Sequence, residues 1–269
     1  MELAPGEIDV WLAFDREISA GRDLAELVAR LAPEEREHAR RMRSAALRHQ
    51  FLVTRALQRT ALSAYASSVE PADWRFVEGE FGKPELAAPF AAHGLHFNVA
   101  HTAGLVALAV ARTAVGIDVE NSRARTAPLR IASHYFSAEE ARDLEAQPAG
   151  EQIRRFFALW TLKESWLKAT GRGLAAGLDN IAFVLDPEHA AASVAIENDD
   201  GAHWRFWQAQ PSAEHVLALA ARAEQGGEFQ VRMQRWLPAE LLVLDRLAAP
   251  RALRSPAGAE SGQEQRSQA

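Results

Sequence analysis

Leu105-Val106-Ala107-Leu108-Ala109-Val110-Ala111, then Arg112-Thr113-Ala114, then Val115-Gly116-Ile117-Asp118-Val119-Glu120 is the stretch on which the fold turns. Both apolar runs have the length of buried strands, and the three-residue break between them suits a hairpin. In a strand, residues two apart share a face. Ile117 and Val119 therefore enter a core, while Asp118 and Glu120 stand together on the opposite side. Two carboxylates so placed repel each other and ask for a cation, and all-oxygen ligands suit Mg²⁺. A strand end running into solvent carries acids too, so the pair alone leaves both readings open.

Working outward toward the N-terminus, 95–99 is a further strand, running into Ala100-His101-Thr102. Phe81-Gly82-Lys83-Pro84 is a turn by its Gly and Pro, and 74–78 is a strand before it. Residues 34–66 hold a long helical pattern without Gly or Pro, preceded by a short helix at 22–31 and a strand at 8–14. Toward the C-terminus come helices at 137–145 and 152–169, the second ended by Gly171. Strand-like runs follow at 181–185, 193–196, 204–209 and 216–221. The pattern predicts an α+β protein of two similar halves, 1–112 and 113–246, each a small, mostly antiparallel sheet with a long helix. The stretch 120–128 links them. Residues 247–269 lack aromatic residues and apolar period and read as a disordered tail.

The chain of 269 residues has no cysteine, which excludes disulfides, thiolate metal sites and cysteine nucleophiles. Its net charge of −6 argues against a nucleic-acid-binding body. No apolar run is long enough to span a membrane, and the N-terminus lacks a basic leader. A cytoplasmic monomer without nucleic-acid or membrane partners is expected. Of the 30 basic residues only Lys83, Lys163 and Lys168 are lysines.

In the helix at 152–169, helical spacing puts Ile153, Phe156, Phe157, Trp160 and Leu167 on one apolar stripe. Glu164 falls in its middle, with Lys163 and Lys168 on the flanks. A carboxylate on a buried face needs a partner. A Glu164–Lys168 pair would supply one; a third carboxylate beside Asp118 and Glu120 would complete a metal site. Between Arg36 and Arg59, seven arginines face one acid, Glu37, which suits either a solvated helix face or an anion-binding wall.

Gly82-Lys83-Pro84, Phe97-Asn98-Val99-Ala100-His101-Thr102, Gly116-Ile117-Asp118-Val119-Glu120 and Trp160-Thr161-Leu162-Lys163-Glu164-Ser165-Trp166-Leu167-Lys168 resemble, in order and spacing, the motifs of the 4′-phosphopantetheinyl transferases. Ala132-Ser133-His134-Tyr135-Phe136-Ser137 with Glu139 and Glu140, and the basic stretch from Pro33 to Arg59, are similar to that family as well. The length resembles its larger, surfactin-synthetase-activator type, which implies two pseudo-twofold halves with the active site in the cleft between them.

The resemblance implies transfer of the phosphopantetheine arm of coenzyme A to a serine of an acidic apo-carrier protein, with Mg²⁺, releasing 3′,5′-ADP. Asp118, Glu120 and Glu164 match the family's metal acids, and Glu164 its base. Lys163 and Lys168 would neutralise the pyrophosphate, Lys168 also steadying the leaving phosphate. Lys83 and His101 match coenzyme A contacts. The chain departs from the pattern at Ala100, where a serine is usual, and at Glu35 and His38, where the family has bases. Arg36, Arg40 or Arg55 would then hold the 3′-phosphate. Three acids alone equally suit a Mg²⁺-dependent phosphoesterase acting on a nucleotide. The departures suit a weakened coenzyme A or carrier-binding module.

Overall fold

Two apolar faces per sheet, rather than one, organise this chain. The computed structural model describes residues 1–19, 21, 23–79, 82–123, 128–173, 177–185, 192–196, 203–223, 227–238, 246–247 and 251–252. The elements run β1 (Glu7–Phe14), α1 (Leu24–Ala29), α2 (Pro33–Arg41), α3 (Ala45–Tyr65), β2 (Phe76–Glu78), β3 (Pro84–Leu86), α4 (Ala88–Ala91), β4 (His96–Thr102), β5 (Leu105–Ala111) and β6 (Val115–Asn121). Then follow α5 (Pro128–Tyr135), α6 (Ala138–Ala146), α7 (Ala149–Thr170), β7 (Ile181–Leu185), β8 (Ala192–Ile196), β9 (His203–Ser212), β10 (His215–Ala223), β11 (Gln230–Arg235), β12 (Arg246–Leu247) and β13 (Arg251–Ala252). The expected α+β class holds.

A five-stranded sheet has the order β12-β11-β1-β5-β4, and a four-stranded sheet the order β13-β9-β10-β6. Along β5, Val106, Leu108 and Val110 pack with Trp11, Leu57 and Trp74 under α3. The alternate residues Ala107 and Ala109 pack with Ile117, Val119, Leu217 and Leu219 of the other sheet. On that sheet's far side, Ala218 and Ala220 meet Phe156, Leu162 and Trp166 of α7. The period of two thus sorts each strand between a helix and the opposing sheet. Among the described residues no helix is long and apolar enough to cross a membrane.

Four expectations are corrected. The hairpin across 112–114 does not form: β5 and β6 lie in different sheets, so this segment is a crossover. Thr113 Oγ1 donates to Arg222 O at 2.8 Å, tying the crossover to β10. The helix expected at 34–66 is two helices, because Met42 turns extended and Ser44 caps α3, its Oγ accepting from Leu47 N at 3.3 Å. The halves are not contiguous in sequence. β11 returns to pair parallel with β1, placing Val231 opposite Ile8 in the first sheet. Within the supposed tail, Arg251 and Ala252 pair with Gln208 and Trp207 of β9; residues 248–250 and 253–269 lie outside the described residues. Helix α5 was not anticipated.

Candidate active site

The site begins with a glycine. A Cβ on Gly116 would sit 2.1 Å from Ser165 O and 2.3 Å from Ala169 N, so β6 lies directly against the backbone of α7. Helix α7 is stopped by Gly171, which is left-handed at φ 68°. Because Asp118 and Glu120 share the Gly116 face of β6, they look toward this helix. Lys168 Nζ lies 2.5 Å from Asp118 Oδ1. Asp118 Oδ2 is buried with no hydrogen-bond partner.

Trp160, Glu164 and Lys168 are four residues apart and only partly buried, whereas Leu162, Lys163, Ser165, Trp166 and Leu167 around them are buried. This refines the stripe read from periodicity. The helix is covered on nearly every side in its second half, and Glu164 lies on its one open line rather than mid-core. Burial, and then the charge of Asp118, raise the Glu164 carboxyl above its ordinary range, with Lys168 opposing. Glu120 is pushed up to about 7 by burial first, then by Asp118 and, more weakly, Glu164. The three acids therefore feel one another. Among the described residues, however, no three His, Asp or Glu side chains converge closely enough to hold a metal ion by themselves. The donors present, the unpartnered Asp118 oxygen with Glu120 and Glu164 nearby, are hard carboxylate oxygens, the ligand type that Mg²⁺ takes.

The other wall comes from the first sheet. Asn98 Oδ1 accepts from Ile117 N at 2.8 Å, fastening β4 to β6. Thr102 Oγ1 reaches Glu120 Oε2 at 3.5 Å, and Gln50 of α3 donates to Thr102 O at 2.9 Å. His101 stands beside them with one side open to solvent, and burial of its other side and then the charge of Lys168 lower its pKa. A cavity of about 220 Å³ is lined by Gly82, Lys83, Pro84, Asn98, Glu164 and Lys168, together with Gly171 and Gly173. Lys83 Nζ donates to Val115 O at 3.2 Å and Ala169 O at 3.1 Å. Burial lowers the Lys83 ammonium to about 8 despite Glu85 nearby.

The structure thus gathers Lys83, Asp118, Glu120, Glu164, Lys168 and His101 around one cleft. It does not bring Lys163 there. That ammonium is fully buried, 2.7 Å from Glu140, on the side of α7 away from the cavity. The arginines also differ from expectation. Arg36 donates to Leu31 O and Ala29 O at 2.9 and 3.0 Å. Arg40 is exposed and sits 3.6 Å from Glu37. Arg55 lies 3.6 Å from Glu35, the acid that also holds Arg59 at 2.7 Å. None of the three lines the cavity; the carbonyls of Ala29 and Leu31 and the carboxylates of Glu35 and Glu37 claim them instead. Sequence reasoning missed Gly116 as a packing constraint, and Asn98, Thr102 and Gln50 as props of the wall. Only Asn98 and Thr102 lay inside a motif that could have flagged them.

The family model of the 4′-phosphopantetheinyl transferase superfamily matches residues 114–220. A 4′-phosphopantetheinyl transferase of Bacillus subtilis is 35% identical over 208 residues, covering 77% of this chain and 88% of that protein. The 4′-phosphopantetheinyl transferase HetI of Nostoc sp. is 34% identical, covering 82% of this chain and 90% of its own length. The transferase Sfp of Bacillus subtilis is 34% identical, covering 63% of this chain and 72% of that one.

Proposed function

This chain belongs to the 4′-phosphopantetheinyl transferase superfamily, and from that premise we propose that it moves the phosphopantetheine arm of coenzyme A onto a serine of an acidic apo-carrier protein. The reaction is Mg²⁺-dependent and releases 3′,5′-ADP, with the protein acting as a cytoplasmic monomer. The observation that carries the reading is the cleft in which Lys168 faces Asp118 at 2.5 Å while Asp118 Oδ2 stays buried and unpartnered. A cation and an unsatisfied anion held together form a receptor for a metal-bound pyrophosphate. The observed geometry would be its resting form.

In the reaction, the serine oxygen bonds to the β-phosphorus of coenzyme A and the bond from that phosphorus to the bridging oxygen breaks. The hydroxyl proton passes to Glu164, whose carboxyl, raised by burial and then by Asp118, is a stronger base than an ordinary carboxylate. Lys168 turns from Asp118 toward the departing phosphate and offsets its charge. Asp118, Glu120 and Glu164 would hold Mg²⁺, which supplies Lewis-acid stabilisation of the phosphate oxygens when bound. Lys83 and His101 lie where the rest of the coenzyme A phosphates would pass. Arg40, Arg41 and Arg43 are exposed along and just after α2 and offer positive charge to an acidic carrier.

The test is to incubate the protein with apo-carrier, coenzyme A and Mg²⁺ and weigh the carrier. A gain of one phosphopantetheine arm is expected. No gain across a panel of acyl, peptidyl and aryl carriers, with an active control enzyme alongside, overturns the proposal.

A further inference from the structure

We infer that Glu140 and Lys163 are a positioning pair that sets the coenzyme A cavity from behind, holding in place the helix that carries Glu164 and Lys168. This rests on the function proposed above.

The pair is buried, the two side chains being 1% and 0% exposed. An ammonium has three donors. Lys163 faces Glu140 Oε2 at 2.7 Å and donates to Leu178 O at 2.7 Å and to Ile181 O. Its ring neighbour is Phe136, with the centroid 5.3 Å away. No donor remains for a phosphate. Glu140 is equally occupied: Oε2 also accepts from Ser137 N at 2.9 Å, closing the capping box of α6, and Oε1 accepts from Phe183 N at 2.8 Å. Four pieces of chain therefore meet at two charges, namely α7, the start of α6, the turn 178–180 and β7.

One of those pieces, α7, bounds the cavity through Glu164, Leu167 and Lys168. Lys163 precedes Glu164 on α7, so fixing its direction fixes the rotation at which Glu164 and Lys168 face the cleft. Leu178 and Ile181, both held by Lys163, fasten this helix from its buried side. A buried ion pair is weak evidence for stability, since desolvation offsets much of its attraction. It does impose geometry, because each partner tolerates only the arrangement that satisfies it. The pair thus acts through other residues: it touches no reacting atom.

The test compares wild type, Glu140→Gln, Lys163→Met and the double variant, each confirmed folded by thermal melting and assayed well below its transition. The double variant leaves no lone buried charge, so it carries the kinetic comparison even where Lys163→Met alone fails to fold. We expect the coenzyme A KM to rise on the order of 10–100-fold in each folded variant, as for a displaced binding wall, with the carrier KM unchanged. The double variant should lose no more than the worse single one, the signature of two groups acting as one unit. Amide hydrogen exchange at 178–181, measured without substrate, should quicken in every variant. Multiplying losses, or an unchanged coenzyme A KM despite a lowered melting temperature, overturns the inference. A wild type that transfers nothing counts against the proposed function alone. In that case unaltered exchange at 178–181 in the variants still overturns the anchoring.

Discussion

Lys168 Nζ rests 2.5 Å from Asp118 Oδ1, joining the end of α7 to the middle of β6 across the cleft. Its side chain is about a third exposed, at 31%, while that of Asp118 is 7% exposed, so the cation can swing toward a ligand and the anion cannot. Losing this cation removes the charge opposite the leaving phosphate. Lys168→Met should lower the transfer rate by roughly 10²–10³-fold, the usual cost of one preorganised stabilising group. Lys168→Arg should also cost rate, because a planar fork does not fit a space shaped for a compact ammonium. Steady-state kinetics with an apo-carrier decide both, and an arginine variant with wild-type turnover removes the argument from shape.

Glu120 gives the metal-free protein a pH dependence of defined sign. Its folded pKa is raised from 4.5 to about 7, so the folded state holds a proton that the unfolded state has lost. Its contribution to stability is present at low pH and falls as pH rises from about 4.5 to 7. The melting temperature in chelator should therefore drop through that window, and Glu120→Gln should flatten the drop. Added Mg²⁺ should stabilise more at pH 8 than at pH 5, because protons and metal compete for the same oxygens. A Mg²⁺ effect independent of pH would count against these acids as its ligands.

Gly116 is where a single methyl group should do most damage. The atoms in its way are Ser165 O and the Ala169 backbone, which cannot rotate aside. Gly116→Ala must push β6 off α7, at a cost of about 1–3 kcal/mol or more, and it moves Asp118 away from Lys168. Both the melting temperature and the transfer rate should fall. Gly150, with nothing near it, is the control: Gly150→Ala, in a helix that favours alanine, should lower neither.

How much of this was legible depends on what each residue's neighbours in sequence reveal. The alternation in Val115–Glu120 told correctly which side chains go inward, because a strand's period fixes its faces whatever it packs against. It could not tell that β5 and β6 belong to different sheets. Two apolar runs with a short break look alike whether they form a hairpin or a crossover. Nor could spacing on α7 separate Lys163 from Lys168. Both flank Glu164, and only the covering by α6 and β7 makes one an anchor and the other a reactive neighbour. The polar alternation of Gln230–Arg235 concealed a strand buried by its return to β1.

Asp118 separates the electrostatic part of the site from its scaffold. Asp118→Asn keeps the shape and the core beneath it, since Ile117 and Val119 carry the packing. It removes the charge that holds Lys168 and that helps raise both Glu120 and Glu164. In chelator the variant should melt no lower than wild type, because repulsion among the three acids is relieved. With Mg²⁺ it should lose the metal's stabilising shift and nearly all transfer, as should Glu164→Gln, which removes the proton acceptor. The two variants differ in one respect. Glu164→Gln should retain part of the Mg²⁺ shift, because Asp118 and Glu120 remain, whereas Asp118→Asn takes away the acid between them. Thermal melts with and without Mg²⁺, alongside the carrier mass assay, distinguish the two, and full activity in either variant removes that residue from the site.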